Sequence, residues 1–185
     1  MKFKGHKVLV IGDTHDSPHL SQDRFHWIGK HIKKIKPDYI VHIGDFSSFD
    51  SLSFFQKNNT QQGKLKDDFM IDIESMRKGF KILDKYVKDI PRHICIGNHE
   101  IRVHRFEENI PEIKGMMKDA LYNTYKEFGW THTEYGEFKN IAGVSFVHCP
   151  LNIMGKEYGG KNAEIQISND ALHDLVFGHT HKARD

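Results

Sequence analysis

The chain is poor in cysteine and proline: of 185 residues, two are Cys and five are Pro. Cys95 and Cys149 cannot form a disulfide framework, so stability must come from a packed core, and a reducing, cytoplasmic setting is the simplest expectation. No apolar run approaches the roughly 18 residues of a membrane span. Neither sign of charge dominates, with 27 Lys plus Arg against 25 Asp plus Glu and a net charge of +2. That balance excludes a strong overall field for nucleic acid and leaves only local patches for it. Repeats, low-complexity tracts and linkers are missing as well, and the length suits one domain over residues 1–185. The 38% hydrophobic share is enough to bury a core, which excludes a wholly disordered chain. The opening MKFKGHKVLVIGD has a basic lead, but its short apolar stretch runs directly into Gly12-Asp13. It reads as a first strand, not a secretory signal.

Histidine is plentiful, with 14 copies, and its placement carries the functional reading. Four short apolar runs, Val8–Ile11, Tyr39–Ile43, His93–Ile96 and Leu175–Phe177, each end in a polar cluster. The clusters contain Asp13, Asp45, Asn98 and His179, and His148 ends a further run, Val144–His148. Continuous apolar runs of this length predict strands buried on both faces. Between them, the spacing of Phe25, Ile28, Ile32 and Ile35 predicts a helix from a Ser21 cap to about Lys36. Phe69, Ile73, Met76, Phe80, Leu83 and Val87 predict a second helix from about Lys66 to Lys88, and Pro111 to Phe128 reads as a third. Thr131–Phe138 reads as another strand, and the polar stretch 56–63 as an exposed loop. Alternating strands and helices predict an α/β fold, with chemistry collected beyond the carboxyl ends of the strands.

In Asp13-Thr14-His15 and His179-Thr180-His181, residues two apart in extended chain point the same way. With Asp45, Asn98 and His148 they form a set of oxygen and imidazole donors suited to divalent first-row metals. The set lacks thiolates, which disfavours a closed structural zinc site. Seven donors exceed one ion's usual needs, and two ions sharing a carboxylate fit better, the known device for in-line displacement at phosphorus.

GDTH, GD, GNHE, a strand-ending His and GHTH, in that order over residues 12 to 181, resemble the calcineurin-like metallophosphoesterase superfamily. The short length and the GNHEIR context are similar to its single-domain bacterial and bacteriophage members, for which the cytoplasm would be the host's. The resemblance implies a four-layer α-β-β-α sandwich. It places Asp13, His15 and His181 on one divalent ion and Asn98, His148 and His179 on the other, with Asp45 bridging. It makes His99 the general acid for a leaving group displaced by a metal-bridging hydroxide. Manganese is the foremost candidate, with iron, zinc, nickel and cobalt also fitting the donors. Substrate contacts are expected from Asn98, Arg102 and Arg105, since the guanidinium fork suits phosphate.

Three features depart from the family pattern. Where one branch has GDxxDRG, supplying an acid that orients the catalytic His and an arginine that grips phosphate, this chain reads Gly44-Asp45-Phe46-Ser47-Ser48-Phe49-Asp50. Ser48 stands at the acid's place, no arginine follows, and Asp50 is the nearest substitute. Cys149 follows His148 where Gly is common, and only Lys182–Asp185 follow GHTH, so the C-terminal strands are expected to be short or missing. The expected substrate is a phosphate ester or diester, with nucleotides and nucleic acids among the candidates and no membrane involved. A phosphodiesterase or nuclease is favoured slightly over a phosphomonoesterase. The alternative is a catalytically silent protein-binding scaffold of the same fold. Tyr158-Gly159-Gly160-Lys161 is expected to form a loop at the site mouth.

Overall fold

The computed structural model describes residues 5–53 and 68–180. The polar stretch 56–63, the first residues of the helix expected from Lys66, and His181 with the residues after it lie outside this range.

The first sheet is built from β1 (Val8–Ile11), β2 (Tyr39–His42), β3 (Arg92–Cys95) and β4 (Trp130–Thr133), in that spatial order and all parallel. Helices α1 (Asp23–Ile35), α2 (Phe69–Val87), α3 (Ile101–Glu108) and α4 (Met116–Glu127) connect these strands. A second sheet holds β5 (Lys139–Ile141), β6 (Val144–Val147) and β7 (Leu175–Phe177), with β6 and β7 parallel. The short α5 (Ala163–Asp170) precedes β7, and its buried Ile167 lines a cavity with Leu175 of that strand. No helix among the described residues is long and apolar enough to cross a membrane.

The alternation of side chains along a strand divides the core in two. Ile40 and Ile94 face the helices, within a cluster that includes Phe25, Phe80, Leu121, Tyr125 and Trp130. Val41 and Cys95 face the second sheet and meet Phe146. This is the expected α/β sandwich. The stripe Ile73, Met76, Phe80, Leu83 and Val87 is buried along α2 as its helical spacing requires. Phe46 stacks on Phe25 and Phe80, with ring centroids 5.1 and 4.1 Å apart, and so anchors the loop after β2 to the helical layer.

Several local expectations shift. Asp68 caps α2, its side chain accepting the Ile71 N–H at 3.1 Å. Gln22, not Ser21, precedes α1, while the Ser21 hydroxyl accepts the Asp23 N–H at 3.2 Å. The helix expected over 111–128 is a 3-10 turn, Pro111–Ile113, followed by α4, because Gly115 breaks it with φ +91°. The strand expected over 131–138 ends at Thr133, and the chain turns before β5.

Buried His93 lies between the sheets, its Nδ1 2.7 Å from the Thr131 hydroxyl and its Nε2 3.2 Å from that of Thr133. Burial lowers its pKa to about 3, aided by the Lys139 charge. The unfolded chain therefore takes up a proton below about pH 6.5 that the native imidazole refuses, and stability drains away as pH falls from there toward 3. His93→Gln is expected to flatten the acid side of a urea-stability profile of metal-free protein by about 1.4 kcal/mol per pH unit. An unchanged slope would show that His93 is protonated in the fold.

Candidate metal centre

Among the described residues, every parallel strand but β4 hands its next few residues to the same edge of the sandwich. Asp13 follows β1, Asp45 follows β2, Asn98 follows β3, His148 follows β6 and His179 follows β7. The Asn98 side-chain oxygen lies 2.8 Å from His148 Nε2 and 2.8 Å from His179 Nδ1. Asp45 Oδ2 is 3.4 Å from His148 Nε2 and 3.8 Å from His15 Nε2, and Asp13 Oδ1 is 3.8 Å from His148 Nδ1. Six of the seven expected donors thus converge, and the seventh, His181, lies outside the described residues. One detail differs from the expected division. Asp13 groups with Asp45 and His148, while His15 groups with Asp45 and His99; Asp45 belongs to both groups.

The loops that carry these side chains are held in unusual backbone conformations. His15, Asp45 and His179 have φ of +44°, +50° and +71°, a region that costs a non-glycine residue roughly 1 kcal/mol or more. Pairing between the loops after β1 and β2 offsets that cost. The His15 N–H donates to the Asp45 carbonyl at 2.9 Å, and the Ser48 N–H to that of Asp16 at 2.8 Å. Beneath them sits Glu100, fully buried. Its carboxylate accepts the N–H groups of Asp45 (3.0 Å), Phe46 (2.8 Å), Ser47 (3.3 Å) and Gly97 (3.0 Å), tying the loop after β2 to the loop after β3. Gly97 must be glycine for this approach, since a Cβ there would lie 2.1 Å from Asp45 Oδ1 and 2.4 Å from its nitrogen.

The donors fit divalent cations. Ligand atoms about 2.1 Å from a common ion sit roughly 3 Å from each other, close to the spacing around Asn98 and between Asp45 and His148. Burial pushes the Asp45 carboxyl up to about 8, and the neighbouring Glu100 and Asp13 charges add to this. A cation would restore the charged form that burial opposes. Burial also lowers His148 to about 3, with His179 beside it, and so keeps the imidazole in its neutral, metal-binding form.

His99 sits beside His15 and Asp45, within their group of donor atoms. Its ring makes an edge contact with that of His15 at 4.6 Å, and its N–H donates to Asp45 Oδ1 at 2.8 Å. Its Nδ1 lies 2.8 Å from the Ser48 carbonyl, which orients the ring where the other branch uses a carboxylate. Asp50 is not that substitute. It lies 3.7 Å from Arg102, which also donates to the Ser48 carbonyl at 2.8 Å. Arg102 Nη2 lies 3.4 Å from His99 Nε2, and a guanidinium there disfavours a metal ion on that nitrogen. Burial, opposed by the bond to Ser48 and aided by the Arg102 charge, lowers His99 to about 4. Arg105, a turn along α3, is exposed, and the structure brings only Arg102 to His99.

Sequence reasoning assigned no role to Glu100, although it stands in the GNHE motif, and none to Glu157, whose Oε2 lies 3.6 Å from His179 Nε2. Tyr158 is pinned to α5, donating to Asp170 at 2.7 Å, so the Gly-rich segment is fastened at its start. A cavity of about 790 Å³ opens beside Asp13, Thr14, Gly178 and Thr180, but most of its lining is apolar and it misses the remaining donors.

An α/β sandwich that gathers carboxylates, imidazoles and an amide oxygen at one strand edge has the framework of a metal-dependent phosphoesterase. Residues 6–183 match the calcineurin-like phosphoesterase family, and the chain belongs to it. It is accordingly a metal-dependent hydrolase of phosphate esters. No curated protein matches the chain.

Proposed function

We propose that residues 1–185 form one metallophosphoesterase domain that cleaves phosphodiesters at a centre of two divalent ions. Asp13, His15 and His181 hold one ion and Asn98, His148 and His179 the other, with Asp45 shared and manganese the preferred metal. The convergence of His148 and His179 on the Asn98 oxygen, both at 2.8 Å, carries this reading. Bound there, divalent ions supply an activated water and Lewis acidity toward the phosphoryl oxygens.

The chain's own residues do the rest. Asn98 turns its oxygen to the histidines, and its amide is free in type to donate to phosphate. His99 Nδ1 is held by the Ser48 carbonyl, and Nε2 accepts from Arg102 in the free protein. A bound phosphate that draws Arg102 to itself and adds negative charge favours the imidazolium, whose Nε2 then delivers a proton to the leaving oxygen. Arg102 contacts the phosphate and finds in it a stronger acceptor than the ring nitrogen it faces in the free protein. The diester preference follows from Arg102's ties to Ser48 and Asp50, which leave its charge partly compensated and less suited to a dianionic monoester.

With manganese, turnover of bis-p-nitrophenyl phosphate is expected to exceed that of the monoester. His99→Ala should lower kcat by about 10²–10⁴-fold with metal content unchanged. Equal rates for wild type and variant would remove His99 from the mechanism. Full metal loading with no turnover of either ester would favour the protein-binding scaffold.

A further inference from the structure

Behind His179, on the side away from Asn98, lies a second group of polar side chains. Cys149, Glu157 and His179 place donor atoms within 4.8 Å of one another. The Tyr135 hydroxyl donates to Glu157 Oε1 at 2.5 Å, and the other carboxylate oxygen, Oε2, is 3.6 Å from His179 Nε2. A line of polar contacts therefore runs from Tyr135 through Glu157 to His179 and on to the Asn98 oxygen.

The backbone around this line is built to hold it. Leu151 and Glu157 pair as an isolated antiparallel bridge. The turn between them is closed by the Asn152 N–H donating to the Lys156 carbonyl at 2.8 Å. It is braced by Asn152 Oδ1, which accepts the Met154 and Lys156 N–H groups at 2.9 and 3.1 Å. Opposite it, Gly136 has φ +81°, and a Cβ there would lie 2.4 Å from Leu151 Cδ1. The absent side chain lets the Tyr135–Gly136 turn close on the Leu151–Glu157 turn and brings hydroxyl and carboxylate together.

We propose that Glu157 is a positioning residue for the second ion, set in place by Tyr135. In the metal-free protein His179 Nδ1 donates to the Asn98 oxygen. With an ion bound there, Glu157 holds the His179 N–H on Nε2, leaving the Nδ1 lone pair for the ion on the Asn98–His148 side. A carboxylate behind a ligating imidazole fixes its tautomer and raises its basicity, and losing such a partner costs about 10–100-fold in metal affinity. This inference rests on the proposed function, because it requires His179 to hold an ion.

Calorimetric titration of manganese into metal-stripped wild type, Glu157→Ala, Glu157→Gln, Tyr135→Phe and His179→Ala tests it. Wild type should take up two ions. Glu157→Ala should bind one of them about 10–100-fold more weakly, and raised manganese should restore most of its kcat. Glu157→Gln, which keeps an acceptor but not the charge, and Tyr135→Phe should lose less. Melting of the metal-free variants should stay at the wild-type temperature, which separates positioning from a structural defect. Wild-type affinity for both ions in Glu157→Ala, while His179→Ala loses one, would overturn the role of Glu157 alone. Two ions retained by His179→Ala would overturn the ligand reading beneath it. An ion on Cys149 that is lost equally in Cys149→Ser and Glu157→Ala would make the group a separate metal site and refute the positioning role.

Discussion

Asp45→Asn is expected to abolish binding of both ions and to lower turnover by more than about 10³-fold, while the metal-free protein melts higher than wild type at neutral pH. Asn suits this test because it is among the few residues that tolerate φ near the +50° of Asp45. It also keeps an oxygen for the His99 N–H, 2.8 Å away in the native protein. The charge is lost, and an amide NH2 takes the place of the Oδ2 that faces His148 and His15. That charge is costly in the empty fold, since burial and the Glu100 and Asp13 carboxylates push the Asp45 pKa up to about 8. Between the unfolded value near 3.8 and that figure, the native carboxyl keeps a proton the unfolded chain has released. Metal-free wild type therefore loses stability from this group as pH rises through that window, and the neutral amide does not. Manganese should raise the wild-type melting temperature and leave that of the variant where it was. A variant that melts lower without metal, or that still gains from manganese, would contradict the bridging role.

Glu100→Gln is expected to be the more damaging change to the fold. The carboxylate accepts four backbone N–H groups from two loops, with no exposure to water. A glutamine oxygen can serve those on one side, while its amide turns donors toward donors on the other. Leaving buried N–H groups without an acceptor costs about 1–3 kcal/mol each, so a destabilisation of roughly 3 kcal/mol is expected. This is a large part of a typical folding free energy of about 5–15 kcal/mol. The activity of Glu100→Gln should fall as well, and added metal should not restore it, because the loops carrying Asp45 and Asn98 lose their common anchor. Unchanged melting and turnover would show that the clamp is dispensable. Glu100→Asp, one methylene shorter, should also fail to reach both loops.

The strand ends were the legible part of this molecule. Val8–Ile11 and Leu175–Phe177 form strands, but not the strands buried on both faces that their apolar runs predict: each lies at the edge of its sheet among the described residues, with Val10 exposed and Leu175–Phe177 half-buried. The polar residues that follow the strands meet at one edge because parallel strands point the same way. What sequence reasoning missed depends on partners distant in the chain. The break at Gly115 is stabilised by the Glu107 carboxylate, which accepts the N–H groups of Gly115, Met117 and Lys118 and so caps α4 from the end of α3. No local pattern announces such a cap. Helix α3 has few apolar residues, and α5 buries only Ala163 and Ile167, so neither shows a helical stripe. His99 is oriented by a backbone carbonyl, which no motif of side chains can display, and Asp50 was the nearest carboxylate in sequence but faces Arg102. Glu157 and Tyr135 reach His179 through turns made by Asn152 and Gly136, a juxtaposition that exists only after folding.

The proposed centre has two cations sharing Asp45. Crystals soaked in manganese and measured at its absorption edge test it most directly. Two anomalous peaks on either side of the Asp45 carboxylate are expected, one also touching His15 and Asp13 and the other touching Asn98, His148 and His179. A single peak, or peaks that leave Asp45 outside their coordination, would contradict the account.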